Sequence, residues 1–220
     1  MSRPYRGQAA DARSADRRAR LLQAGVDLVG THGVAAMTMR AVCREAGLSQ
    51  KFFYESFTGT DDLLREVYRS TFEQARRVIN AAGDPEADLT SRTRAGVGAA
   101  ARLVRDDPRV CRILLVEPIA DLTLRQFVRD TIGTMTMGGL TAPTGGTAAR
   151  AKMQYATVFG AIISLFIEWT EGNLGSDREA FVDHVTTMLL SSPLFGGRGA
   201  VQAVPSAGHP ARTPRINRSS

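Results

Sequence analysis

Cysteine is scarce: Cys43 and Cys111 are the only two in 220 residues, 68 positions apart, with no CxxC and no histidine pair near either. That spacing argues against a disulfide framework or a structural zinc site. Histidine is equally thin, at His32, His184 and His209, and such isolated histidines at helix ends or on polar faces read as surface residues. No apolar stretch approaches the ~20 residues that span a bilayer. The longest, VFGAIISLFI at Val158–Ile167, is ten residues and stops at Glu168, so it reads as a buried helix segment. The N-terminus, MSRPYRGQAADARSADRRAR, has arginines but no apolar stretch after them, unlike a secretory signal. A cytoplasmic protein with no membrane partner is expected. Also missing are GxxxxGK[ST], GxGxxG after a strand, HExxH and GxSxG, so the expectation is a non-enzyme with no cofactor and no metal.

The charges present are unevenly placed. Residues 1–57 carry net +4, residues 58–195 net −2 and residues 196–220 net +4, giving the overall +6. A nucleic-acid-binding module on a near-neutral body has this distribution, and so do two basic disordered tails. Apolar positions repeat at three- and four-residue intervals almost throughout, and no run alternates as a strand. The predicted fold is all-α, with helices at Ser14–Gly30, Thr38–Ala46, Ser49–Ser56, near Thr60 or Asp61 to Ala82, Thr90–Arg105, Pro108–Ile119, Leu122–Met137, Thr147–Thr170 and Asp177–Ser191. Thr38 and Ser49 are cap-type residues, Thr60 and Asp61 have side chains that accept from a helix start, and Ser176 with Glu179 fits a capping box.

Two short helices around Gly47 carry the most chemistry. A helix, a tight glycine turn and a second helix lay that second helix in the DNA major groove, although ordinary αα-corners share the pattern. Val42, Cys43 and Ala46 keep the first helix small on one side, and Leu48 and Phe53 plug the junction. Ser49, Gln50 and Lys51 open the second helix, where side chains reach base edges; Gln pairs with adenine and Lys with guanine, while the hydroxyls of Thr38, Ser49 and Tyr54 suit phosphates. Adjacent residues on a helix point about 100° apart, so Phe53 is expected in the core and Phe52 toward DNA.

The string from Arg18 to Leu64, above all RAVCREAGLSQKFFYESFTGTDDLL, resembles the N-terminal domain of TetR-family (tetracycline-repressor-like) transcriptional regulators. DDPRVCRILLVEP and FIEWTEGNL are similar to segments common in their C-terminal domains. The resemblance implies a homodimer that binds a pseudo-palindromic operator, represses, and senses a small-molecule effector in a helical C-terminal domain. It assigns DNA binding to Thr38, Arg40, Ser49, Gln50, Lys51, Phe52 and Tyr54. Phe52 stands where the family usually has a small or hydroxyl residue, offering a thymine-methyl contact instead, and Thr60 replaces a usual lysine.

The expected organisation is a basic flexible arm at 1–13, a helix-turn-helix domain at 14–60, a helical effector-binding and dimerisation domain at 61–195, and a disordered basic tail at 196–220. Phe127, Met135, Tyr155, Phe159 and Trp169 are candidate effector contacts, though most such side chains serve as plain core. The last two helices are expected to form the dimer, since the first has more apolar surface than one face requires. The competing reading is a helical enzyme or scaffolding protein that does not act on DNA.

Overall fold

The computed structural model describes residues 6–121, 124–128 and 148–192. Met135, most of the helix expected at Leu122–Met137 and the tail at 196–220 lie outside these. All regular structure among the described residues is helical.

Helix α1 runs Arg6–His32, starting well before the expected Ser14. Residues 11–16 are all exposed, so no apolar period marks that start; it follows from the high helix propensity of Ala, Arg and Gln. The chain leaves α1 at Gly33, φ 86°, makes a 3-10 turn at Val34–Ala36, and enters α2, Met39–Ala46, where the Thr38 side chain accepts from the Ala41 N–H at 3.2 Å. Gly47 ends α2 in the left-handed region, φ 62° and ψ 38°, a conformation cheap only for glycine. Ser49 then caps α3, Gln50–Ser56, by position but without a side-chain hydrogen bond.

Helix α4 is Thr60–Ala81, and its cap residue is Gly59. The expected Thr60 or Asp61 cap is therefore corrected. Asp62 reaches back instead, its Oδ2 accepting from the Thr58 N–H at 3.0 Å and the Thr58 hydroxyl at 3.2 Å. Helix α5, Leu89–Asp106, starts on Asp88, which accepts from the Ser91 N–H at 2.9 Å. The helix expected at Pro108–Ile119 is one helical path in three parts: α6, Pro108–Cys111; a π turn, Arg112–Val116; and α7, Glu117–Ala120. Residues 124–128 form α8, followed by α9, Ala148–Thr170, and α10, Arg178–Ser191. Asp177 caps α10, accepting from the Glu179 and Ala180 N–H groups at 2.9 and 3.2 Å. This replaces the expected Ser176–Glu179 capping box, because the Glu179 carboxylate pairs with Arg178 and Arg94 instead.

Two cores result. The first joins α1 to α4 through Leu21, Val29, Val42, Phe53, Phe57, Leu63 and Val67, and takes in Ile113 and Leu124. Cys43 packs there too, its thiol pushed up by burial. The second joins α5, α6, α9 and α10 through Ala101, Val104, Val110, Phe166, Trp169, Phe181 and Val185. Leu114, in the π turn, packs against both. The segment 108–120 is thus a wall common to the two cores. No helix of the described residues is long and apolar enough to cross a membrane.

Candidate nucleic-acid interface and ligand cavity

Arginines of α1 brace both helices beside Gly47. Arg20 Nη2 donates to the Ala46 carbonyl at the end of α2, 2.6 Å away, and Arg18 Nη1 donates to the Ser56 carbonyl at the end of α3. These bonds place cations on the C-terminal carbonyls of two short helices, where the helix dipoles favour positive charge. Arg18 also sits 4.2 Å above the Phe57 ring, and Arg17 sits 4.5 Å above Phe52 while approaching Glu55 to 3.9 Å. Arg17, Arg18 and Arg20 are polar positions of an amphipathic helix, and nothing in their spacing marks this brace, which depends on how α1 packs.

That brace leaves the start of α3 open. Ser49 and Gln50 are exposed, and Lys51 is 80% exposed with only a long 3.9 Å approach to Glu55. Tyr54, one turn on from Gln50, is 62% exposed and meets Phe53 edge-on at 5.6 Å. Phe53 is fully buried, whereas Phe52 is half-buried under the Arg17 guanidinium. At the head of α2, Arg40 is exposed and makes no ion pair among the described residues. Thr38 is exposed while its oxygen caps the helix, so its hydroxyl proton remains able to donate. A short braced helix whose first residues are polar and unengaged suits base-edge contact, and the flanking cations suit phosphates.

A second feature lies between α4, α5, the segment 108–120, α8 and α9. It is a cavity of about 550 Å³, within the ~300–1,000 Å³ of ordinary small-molecule sites. Phe159, one of the candidate effector contacts, lines it, together with residues not singled out in the sequence: Tyr68, Phe72 and Ile79 of α4 and Leu114, Leu115 and Pro118 of the common wall. Those positions were legible as helical apolar residues, but not as facing a void. The Tyr68 hydroxyl makes no hydrogen bond among the described residues, and burial pushes its ionisation up, so it stays a neutral donor. Tyr155 stacks on Phe159 at 6.2 Å without lining the cavity itself. Phe127 meets Tyr68 edge-on at 5.9 Å, outside the lining. Trp169 is core, stacked on Phe181 at 4.4 Å under Arg105. No cluster of metal-ligating side chains occurs among the described residues.

The far side of the cavity wall grips the N-terminal unit. Glu117 Oε2 accepts from the Val34 N–H at 3.0 Å, and its Oε1 accepts from Arg112 Nε at 3.0 Å. Arg112 also donates to the Thr31 carbonyl at 3.1 Å. Arg109 bonds Asp27 of α1 and forks onto Asp107 with two bonds of 2.8 Å. That fork lowers the Asp107 carboxyl below its ordinary value and raises the Arg109 guanidinium. A side chain on Gly30 would collide with Arg109 Cβ, so glycine is required for this approach.

Residues 21–67 match the family described as bacterial regulatory proteins, tetR family. Comparison with curated protein sequences gives no match. Among solved structures, the fatty acid degradation regulator FadR from Bacillus halodurans is similar at a TM-score of 0.60 and 16% identity, over 80% of this chain and 95% of that one. A TetR-like transcriptional regulator from Rhodococcus sp. RHA1 gives 0.59 and 16%, over 78% and 92%. The transcriptional regulator FadR from Bacillus subtilis, solved in complex with stearoyl-CoA, gives 0.58 and 16%, over 79% and 97%. At such identities the likeness establishes the fold, while the family match covers the two helices around Gly47 and their supports. Residues 21–67, the stretch with the two helices around Gly47, are thus similar to the tetR family of bacterial regulatory proteins, and the chain has the all-helical fold of the TetR-like transcriptional regulators it resembles.

Proposed function

We propose that this regulator is a homodimeric repressor that binds a pseudo-palindromic operator and leaves it when a small molecule fills the cavity. The observation that carries the proposal is the common wall. Val110, Leu114, Leu115 and Pro118 line the cavity, while Arg109, Arg112 and Glu117 of the same stretch hold Asp27, Thr31 and Val34 beside the DNA-binding helices. A ligand that changes the wall alters the setting of those helices, and it releases DNA only if it binds the released arrangement more tightly. The FadR complex with stearoyl-CoA supports the idea that this fold accommodates a small molecule.

Thr38, Arg40, Ser49, Gln50, Lys51 and Tyr54 are the proposed DNA contacts, with Phe52 secondary because Arg17 covers it. The proposed units are the helix-turn-helix domain at 14–60 and the effector and dimerisation body at 61–195, in a cytoplasmic protein without catalytic activity. Footprinting on DNA flanking the chain's own gene tests the reading. A protected palindrome with steeply salt-dependent affinity is expected. Absence of protection and of salt-dependent binding counts for the alternative, a helical enzyme or scaffolding protein that does not act on DNA.

A further inference from the structure

The polarity of the cavity is graded. Its deep lining is apolar, with Tyr68, Val110 and Phe166 at most 6% exposed. Its polar lining residues with long side chains, Arg76, Asn80 and Arg125, are all exposed and so stand at the mouth. Arg76 has no hydrogen bond or ion pair among the described residues. Arg125 donates to the carbonyls of Pro118, at 3.1 Å, and Ile119, and to no carboxylate of the described residues. No aspartate or glutamate of the described residues lines the cavity. Two guanidinium groups at the opening of an apolar void, without a balancing acid among the described residues, attract negative charge and leave the interior to hydrocarbon.

We infer that the cavity takes an amphipathic anion, an apolar chain ending in a carboxylate or phosphate head, with the chain inside and the head at Arg76 and Arg125. This rests on the reading of the cavity as the effector site and adds the chemical class of the effector. An apolar ligand of equal size leaves the two positive charges at the mouth without a counter-charge. A cationic one is repelled by them.

The test uses the full chain with dodecanoate, dodecyl phosphate, dodecanol and dodecyltrimethylammonium, each below its micelle threshold, in a titration calorimeter. Both anions are expected to bind at least about tenfold more tightly than the alcohol, and the cation not at all. An exposed ion pair contributes at most about a fivefold gain, so Arg76→Gln and Arg125→Gln should each weaken the anions by roughly that factor and leave dodecanol unchanged. Arg76→Gln is the cleaner variant, because Arg125 also caps the end of α7. The two anions distinguish a carboxylate head from a phosphate one. Filling the void with Leu115→Trp should abolish binding of every probe.

Dodecanol binding as tightly as dodecanoate overturns the inference, as does full anion preference in the double arginine variant or undiminished binding in Leu115→Trp. Operator release is read separately on the footprinted duplex. Arginine-dependent anion binding that leaves operator affinity unchanged upholds the ligand class and removes the effector reading. Equal release of the operator by dodecanol and dodecanoate does the reverse.

Discussion

Glu117 accepts a hydrogen bond from the backbone N–H of Val34, 83 residues earlier in the chain, at 3.0 Å. Its other oxygen is held by Arg112, so one nearly buried carboxylate ties the π turn to the end of α1. Replacing Glu117 with Ala strands the Val34 N–H and loosens Arg112 together. A cost of about 1 to 3 kcal/mol is expected for the unsatisfied groups, measured by urea unfolding. Operator affinity should fall as well, because the Gly33–Val34 turn leads directly into α2. Unchanged stability and unchanged operator binding together would show that the bond sets nothing.

At the other end of the domain, Lys51 projects from the first turn of α3 with 80% of its side chain exposed. Lys51→Ala should leave unfolding unchanged within about 0.5 kcal/mol. It should weaken operator binding by about 1 to 3 kcal/mol and relax preference at one base position if the amine reads a guanine. Arg40→Ala should weaken all sequences alike and make the salt dependence shallower by about one phosphate. A footprint of both variants identical to wild type would move the base readers elsewhere on the domain.

Asp107 offers a pH test of the link between the two cores. The bond from Arg109 is the main cause of its lowered carboxyl, aided by the Arg109 N–H. A carboxyl whose folded value is depressed stabilises the fold above its unfolded value, near 3.9, and that stabilisation disappears as the pH falls through the folded value. Asp107→Asn keeps the cap on Arg109 N–H, made at 3.1 Å, but removes the charge. The variant should be less stable than wild type at pH 7 by up to about 1 kcal/mol, given how open both side chains are. The difference should close as the pH falls below the unfolded value and through the lower folded one. A gap that widens in acid contradicts the assignment.

Much of this was legible in the sequence, for physical reasons. Gly47 and the cap-type Thr38 mark the ends of α2 because left-handed backbone and an orphan N–H demand those residue types locally. The angle between neighbouring residues on a helix likewise put Phe53, rather than Phe52, in the core. Long-range features were not legible. Arg17 above Phe52 and Glu117 on Val34 join residues that no helical period relates. The cavity is enclosed jointly by α4, α5, α8, α9 and the 108–120 wall, and a void between helices leaves no pattern in any one of them. Trp169 shows the converse, an aromatic that reads as a ligand contact but fills a core formed with Phe181.

The apolar richness of α9 also looks different once its packing is known. Phe166 is 6% exposed against Phe181, and Val158, Ile162 and Leu165 are half-buried where they pack on the same core, so part of the surface expected at a dimer contact is covered within one chain. The exposed side of α9 includes Met153, 63% exposed, with Ala156, Gly160 and Ser164. A Cβ on Gly160 would meet nothing within 4 Å. Small residues along a helix allow a second helix to approach closely, and a two-fold pairing of α9 and α10 makes a four-helix bundle that spaces two α3 helices for successive major grooves, about 34 to 36 Å apart. Phe166→Glu is a poor test, since it damages the protomer's own core. Met153→Glu with Gly160→Glu adds charge only where one chain is open. The double variant should keep a cooperative thermal transition yet sediment as a monomer at micromolar concentration. Its affinity for a palindromic site should fall by about 10² or more as the second reading head is lost. A double variant that stays dimeric with full operator affinity places the dimer contact off this face.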